Sequence, residues 1–115
     1  MKEVVIVSAC RTAIGAFGGT LRDMNLATLG SVVMKEAVKR AGISPELIAD
    51  VRFGCCREPV DSLNTTRISA LMAGIPENSM AATINRVCIS GMEAVISGIF
   101  GATPKTVDVK PEQDE

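Results

Sequence analysis

The spacing of hydrophobic residues along the chain predicts strands that alternate with helices. Residues 3–9 form a β-branched block without polar alternation, which is typical of a central strand buried on both faces. From about Leu26 to Ala41, apolar residues recur at helical spacing, with Asn25 as the predicted N-cap and Gly42 just past the last turn. This stretch carries the strongest helix signal in the chain.

Shorter elements follow the first predicted helix. Ser44-Pro45-Glu46 predicts about one helical turn, because a capping residue precedes a proline and an acid. The remaining predicted elements are a strand at Val51–Phe53 that stops at Gly54, a helix from Thr66 to Ala73 closed by Gly74 and Pro76, a strand from Ala81 to Ile84, and a buried helix from Ser90 to Ile96. Such alternation indicates an α/β fold with a largely parallel sheet, but three strands make a thin sheet whose edges need a partner.

Two segments carry no helix or strand pattern. Residues 11–20 contain three glycines and predict a loop, either a tight structural turn or a loop that shapes a site at the end of the first strand. Neither glycine-rich nucleotide-binding pattern can be placed there, so a phosphate cradle is not favoured. Residues 101–115 hold two prolines and six charges, which predicts a polar tail, disordered or foreign to the rest of the chain.

Composition narrows the possible functions. The 115 residues suit one compact domain or part of a larger one, and 12 basic against 13 acidic residues leave no electrostatic footprint for nucleic acid. No apolar stretch is long enough to span a membrane. The four cysteines have no CxxC spacing, so we predict neither a metal site nor a disulfide framework, and we expect a cytoplasmic protein.

The absence of histidine limits the possible catalytic functions more than any other feature of the composition. Histidine is the usual general base near neutral pH, and the chain contains none. A complete Ser/His/Asp or Cys/His constellation is therefore excluded within this chain. Any reaction that needs a histidine base must obtain it from residues outside this sequence.

Cys88 is the strongest candidate nucleophile. The end of a strand that runs into a helix N-terminus favours a thiolate through free N–H groups and the helix dipole, and only Cys88 has that setting. The alternative is a small buried thiol that fills space beside the helix. We interpret Cys10 as a core residue at the end of a buried strand, and Cys55 and Cys56 as loop residues without a designed role.

Two motifs carry a family resemblance. Residues 8–19 (SACRTAIGAFGG) resemble the N-terminal signature of thiolases, and residues 85–91 (NRVCISG) resemble the segment around the acyl-accepting cysteine of that family. Further thiolase-like segments follow in the expected order at residues 29–30, 39–42, 66–70 and 73–76. The resemblance covers about residues 1–99 and is strongest to the biosynthetic acetoacetyl-CoA branch.

The resemblance implies a thiolase-like layered α/β fold, of which residues 1–100 would form part of the N-terminal domain. It implies that Cys88 accepts an acetyl group from acetyl-CoA and that a second acetyl-CoA takes this group to give acetoacetyl-CoA. Coenzyme A thioesters would be substrates, no cofactor is implied, and the full-length enzyme would be a homo-oligomer, either a dimer or a tetramer.

The chain departs from the family pattern in ways that keep alternatives open. Ile89 replaces a small residue after the nucleophile, and Cys10 and Ala13 replace commoner residues of the signature. The family's activating histidine, second acid/base cysteine and most CoA contacts belong to later parts of its chain. We therefore expect the sequence to be incomplete and inactive alone. The alternatives are a 3-ketoacyl-CoA thiolase of broader chain length, or a non-catalytic fragment or subunit.

Overall fold

The structure, a computed structural model, describes residues 3–102 and shows an α/β arrangement in that range. The elements are α1 (Leu26–Ala41), a 3-10 turn (Pro45–Leu47), β1 (Asp50–Gly54), α2 (Thr65–Met72), β2 (Met80–Ile84), a second 3-10 turn (Val87–Ile89) and α3 (Ser90–Gly101). β1 and β2 pair in parallel, from Asp50 opposite Met80 to Gly54 opposite Ile84. The predicted α/β class is confirmed, and most of the predicted polar tail lies outside the described residues.

The two faces of this small sheet carry different helices. Val51 and Phe53 of β1 pack against a buried cluster that includes Met34 of α1 and Ala70 of α2. Because side chains alternate along a strand, Arg52 points to the other face, where its guanidinium donates to the Ser97 carbonyl of α3 at 2.7 Å. α1 and α2 therefore cover one face of the sheet, and α3 covers the other.

The predicted ends of α1 are confirmed in detail. The Asn25 side chain accepts a hydrogen bond from the Ala27 N–H at 2.8 Å, which satisfies a donor that the helix itself leaves free. At the other end, Gly42 has a φ of 68°, and its N–H donates to the Lys39 carbonyl at 3.2 Å. Glycine takes this left-handed conformation without a Cβ penalty, so the helix stops where the sequence predicts.

The prediction of a buried strand at residues 3–9 is wrong. In the structure this segment forms no strand and is largely exposed, with Ile6 82% exposed. It lies along α1, where the Ser8 hydroxyl donates to the Ala37 carbonyl at 2.8 Å. A central strand needs a hydrogen-bonding neighbour on each side, and within residues 3–102 the only paired strands are β1 and β2. The β-branched pattern alone cannot supply those neighbours.

The interpretation of Cys10 as a core residue at the end of a strand is also wrong, because residues 3–9 form no strand. Cys10 is only partly buried, and its thiol lies 3.4 Å from the Val33 carbonyl of α1. It packs beside a helix instead of ending a strand.

None of the helices within residues 3–102 is both long and apolar enough to cross a membrane.

Candidate active site

Cys88 lies in the 3-10 turn between β2 and α3. β2 ends at Ile84, the turn covers Val87–Ile89, and α3 begins at Ser90. The predicted placement between a strand and a helix N-terminus is confirmed, with one turn inserted. The Cys88 residue is exposed, which excludes the alternative of a buried thiol that only fills space. A nucleophile must be reached by its substrate, and this position permits that approach.

The residue before Cys88 has an unusual backbone conformation. Val87 has a φ of 51°, and it is the only non-glycine residue with positive φ among residues 3–102. For a β-branched residue this left-handed conformation is a genuine outlier, which costs about 1–3 kcal/mol and persists only where the surroundings enforce it. Such strain is concentrated at functional sites.

Two side chains hold the strained turn. The Asn85 Oδ1 accepts a hydrogen bond from the Val87 N–H at 2.9 Å. The Ser90 hydroxyl accepts from the Arg86 N–H at 2.9 Å and donates to the Val87 carbonyl at 2.6 Å. Sequence reasoning did not single out these roles for Asn85 and Ser90. The sequence did contain a signal for Asn85, because an asparagine side chain can accept a hydrogen bond from the N–H two residues later in an Asx turn, and Val87 is at that position.

The end of β1 touches the start of α3. A Cβ built on Gly54 would lie 2.6 Å from the Gly91 nitrogen and 2.6 Å from the Ser90 carbonyl carbon. Real side chains do not tolerate such distances to backbone atoms, so only glycine allows this approach. Gly54 therefore fixes how close the first residues of α3 come to the sheet.

The Cys55–Cys56 loop lies at the same edge of the sheet. The Cys55 N–H donates to the Ile84 carbonyl at 3.0 Å. The Asn85 Nδ2 donates to the Cys56 carbonyl at 3.4 Å. The carboxyl ends of parallel strands meet at one edge, which is where α/β sheets commonly place their sites. The structure thus brings the Cys55–Cys56 loop and the Cys88 turn together.

The charges nearest to the turn form an ion pair. The Arg86 guanidinium lies 2.7 Å from the Glu93 carboxylate, with the two side chains 58% and 26% exposed. The N-cap residue Ile89 makes no side-chain capping bond, so it leaves the first N–H groups of α3 to other partners. The positive end of the α3 dipole therefore faces the Cys88 turn.

The predicted loop at residues 11–20 contains no helix or strand, as expected. Thr12 lines a cavity of about 200 Å³ between α1, α2 and β1, together with Gly54 and Cys55, and Cys88 does not line that cavity. No group of three or more His, Cys, Asp or Glu side chains arranged to hold a metal ion occurs within residues 3–102. The candidate nucleophile is therefore the exposed Cys88 thiol on a constrained turn, beside the loop that carries the other exposed cysteine, Cys56, and the chain contains no histidine.

Comparisons with known proteins identify the family of this chain. Residues 4–109 match the family described as thiolase, N-terminal domain. An acetyl-CoA acetyltransferase of Syntrophomonas wolfei is 52% identical over 94 residues, which is 82% of this chain and 24% of that protein. Beta-ketothiolase BktB of Cupriavidus necator is 44% identical over 98 residues, which is 84% of this chain and 25% of that protein.

A solved structure gives the same result for the fold. The crystal structure of the Bacillus anthracis acetyl-CoA acetyltransferase matches with a TM-score of 0.79 at 42% identity, over 82% of this chain and 24% of that one. The chain therefore has part of a thiolase-like layered α/β fold and spans about a quarter of the length of these relatives. The family match, the identities and the shared fold together establish that this chain belongs to the thiolase family.

Proposed function

We propose that Cys88 is the acyl-accepting nucleophile of an acetyl-CoA acetyltransferase that condenses two acetyl-CoA into acetoacetyl-CoA. The observation that carries this proposal is the exposed Cys88 thiol on a strained turn at the start of α3. Relatives named acetyl-CoA acetyltransferase in two organisms support the choice of substrate. Acetyl-CoA and acetoacetyl-CoA are the proposed substrate and product.

The first half-reaction forms an acetyl-enzyme. The Cys88 thiolate attacks the thioester carbonyl carbon of acetyl-CoA, and a new carbon–sulfur bond forms while the bond to the CoA sulfur breaks. CoA leaves as a thiol after taking up the proton that Cys88 released. N–H groups at the start of α3 are suited to stabilise the negative oxygen of the tetrahedral intermediate. Two easier steps thus replace one difficult condensation.

The second half-reaction forms a carbon–carbon bond. A base removes a proton from the methyl group of a second acetyl-CoA, and the resulting carbanion attacks the acetyl carbonyl on Cys88. Acetoacetyl-CoA forms, and the Cys88 thiolate is released. Because the chain has no histidine, a histidine base would have to come from outside its 115 residues. We therefore propose that this chain alone does not turn over.

A thiolase of broader chain length is the competing assignment. The similarity to beta-ketothiolase BktB favours it, since that relative is 44% identical over 98 residues. Ile89, directly after the nucleophile, is 44% exposed, and we propose that its β-branched side chain limits the space for the acyl group. Comparison of kcat/KM for acetoacetyl-CoA and for longer 3-ketoacyl-CoA thioesters, measured on this chain completed by a C-terminal thiolase portion, separates the two. A clear preference for the longer substrates would favour the alternative.

Acetylation of the purified chain tests the role of Cys88. We expect incubation with acetyl-CoA to add one acetyl group to Cys88, detected by peptide mass spectrometry. Cys88→Ser should lack the adduct. Cys10→Ser should keep it, because Cys10 lies beside α1 and away from the turn. An adduct confined to other cysteines, or none at all, would contradict the proposal.

Restoring the remainder of the protein tests turnover. We expect a fusion of this chain to the C-terminal portion of the Syntrophomonas wolfei relative to cleave acetoacetyl-CoA in the presence of CoA. In that fusion, Cys88→Ser should lower kcat by about 10⁴-fold or more, as nucleophile removal does in other covalent enzymes. Turnover by the 115-residue chain alone would contradict the inference from its missing histidine.

The cellular setting and assembly complete the proposal. The four free cysteines suit a reducing compartment, so we propose a cytoplasmic enzyme. We also propose a homo-oligomer, a dimer or a tetramer, as the family resemblance implies. Light scattering on the fusion protein measures its mass directly, and a monomer would contradict this part.

A further inference from the structure

We propose that Asn85 and Ser90 are positioning residues that hold Val87 in its left-handed conformation and so fix where the Cys88 thiol lies at the start of α3. The inference rests on the proposed function for what the thiol does, but the geometry of the turn stands on its own contacts. Neither residue needs to touch a substrate in this role. Both act through the backbone that carries Cys88.

Asn85 links the turn to the neighbouring strand end. Its Oδ1 accepts the Val87 N–H at 2.9 Å, and its Nδ2 donates to the Cys56 carbonyl at 3.4 Å. Asn85 is itself exposed, so water can satisfy its amide without any protein partner. These bonds are therefore not required to compensate burial, and their effect is to set geometry.

Ser90 holds the other side of Val87. Its side chain is buried, and its hydroxyl donates to the Val87 carbonyl at 2.6 Å while it accepts the Arg86 N–H at 2.9 Å. The N–H of Val87 is thus fixed by Asn85, and its carbonyl is fixed by Ser90. With the peptide groups on both sides of Val87 restrained, its φ and ψ are restrained as well.

The restraint is needed because the left-handed conformation is unfavourable for valine. A β-branched residue strongly prefers negative φ, so loss of either side-chain bond should let Val87 relax toward the extended region. The Ser90 N–H also donates to the Val87 carbonyl, so Ser90→Ala weakens the restraint on that carbonyl without removing it entirely. Relaxation of Val87 moves every following atom of the turn, including the Cys88 sulfur. A displacement of about 1 Å at a reacting group is enough to cost roughly a hundredfold in rate.

Substitutions in the 115-residue chain separate positioning from simple loss of structure. Asn85→Ala and Ser90→Ala each remove one side-chain restraint, and Asn85→Ser keeps a hydroxyl acceptor that can bond an N–H two residues on. Ser97→Ala is the matched control, because that hydroxyl donates to the Ala94 carbonyl at 3.0 Å on the same helix, away from the turn. Thermal unfolding of each variant reports whether the fold is intact.

Three readouts are compared on each variant. The first is the rate at which acetyl-CoA acetylates Cys88, which demands a defined attack geometry. The second is the alkylation rate of Cys88 with iodoacetamide, a small reagent that demands little geometry. The third is the NMR signature of Val87, since a strong intraresidue contact between its Hα and amide hydrogens marks a positive φ.

We expect Asn85→Ala and Ser90→Ala to lower acetylation about tenfold to a hundredfold, with alkylation nearly unchanged and the positive-φ signature of Val87 lost. Asn85→Ser should recover part of both the rate and the signature, and Ser97→Ala should match the wild type. Unchanged acetylation in both alanine variants would overturn the proposal. An equal fall in acetylation and alkylation would also overturn it, because that pattern indicates general disruption.

The experiment still tests the positioning role of Asn85 and Ser90 if the proposed function is wrong. A wild-type chain that is never acetylated would remove acetyl-CoA as the substrate. The NMR arm would still decide the positioning role. Retention of the left-handed signature in Asn85→Ala and Ser90→Ala would refute it, and loss of the signature would support it.

Discussion

The two faces of the β1–β2 sheet are stabilised in different ways. On the α1–α2 face, Met34, Ala70 and Ile75 form a buried apolar cluster. On the α3 face, the helix buries only Ser90 and Ala94. The exposed large apolar residues of α3 are Met92, Val95, Ile96, Ile99 and Phe100.

Polar contacts show the same contrast. On the α1–α2 face, the buried Ser69 hydroxyl donates to the Ala27 carbonyl at 2.9 Å, which ties two tightly packed helices together. On the α3 face, Arg52 reaches the Ser97 carbonyl, and Gly54 allows backbone contact with Ser90. The candidate site is therefore held by a few directed bonds and one close approach, and not by a deep core.

The largest expected difference between the faces concerns two methionines. Met34→Ala should lower the free energy of unfolding by about 2–5 kcal/mol, because it leaves a cavity in the buried cluster. Met92→Ala should change that free energy by less than about 0.5 kcal/mol, since Met92 is 65% exposed. Urea unfolding of both variants measures this. Equal losses would mean that the α3 face is packed as tightly as the other.

An intermediate effect is expected where β1 meets α3. Gly54→Ala should lower the free energy of unfolding by about 1–3 kcal/mol, because its Cβ would overlap backbone atoms of Ser90 and Gly91. Gly91→Ala is the matched control, since nothing lies within 4 Å of its built Cβ and alanine favours a helix. Thermal unfolding compares the two. If both variants were equally stable, the close approach at Gly54 would not restrain α3.

The smallest expected effect concerns an ion pair on α1. The hydrogen bond from Arg40 lowers the pKa of Glu36, and the nitrogen and oxygen lie 2.8 Å apart. A lowered carboxyl pKa adds stability that is present above the unfolded-state pKa and is lost as pH falls through the folded-state pKa. The melting temperature of the Glu36→Gln variant should therefore be slightly lower than that of the wild type at neutral pH.

The pH and salt dependence check the Glu36 prediction. The difference between Glu36→Gln and wild type should shrink as the solution is acidified, and it should also shrink at high salt because the pair is exposed. Melting curves at several pH values measure it. A difference that persists at acidic pH would show that the glutamate stabilises α1 by another route.

Local signals predicted most of the helices correctly. Asn25 and Gly42 bracket α1 as expected, because capping and left-handed termination depend on residues within one turn. α2 was expected from Thr66 to Ala73 and is found at Thr65–Met72. The position of Cys88 before a helix could also be predicted, because it follows from the order of a strand, a short connection and a helix.

The failures share a physical cause. Residues 3–9 have the composition of a buried strand, but a strand exists only through hydrogen bonds to neighbours that the pattern does not contain. Val87 is a valine, and nothing in its type predicts a φ of 51°. The hydrogen bonds of Asn85 and Ser90 to the Val87 backbone exist only in the folded turn.

The sequence by itself determined the α/β class, the ends of α1, the absence of histidine and the candidacy of Cys88. These depend on residue types and on spacings of a few residues. The tertiary structure alone decided that Cys88 is exposed, that Gly54 contacts the start of α3, and that residues 3–9 lie along α1. Those properties require groups distant along the chain to meet, and their contact energies are absent until the chain has folded.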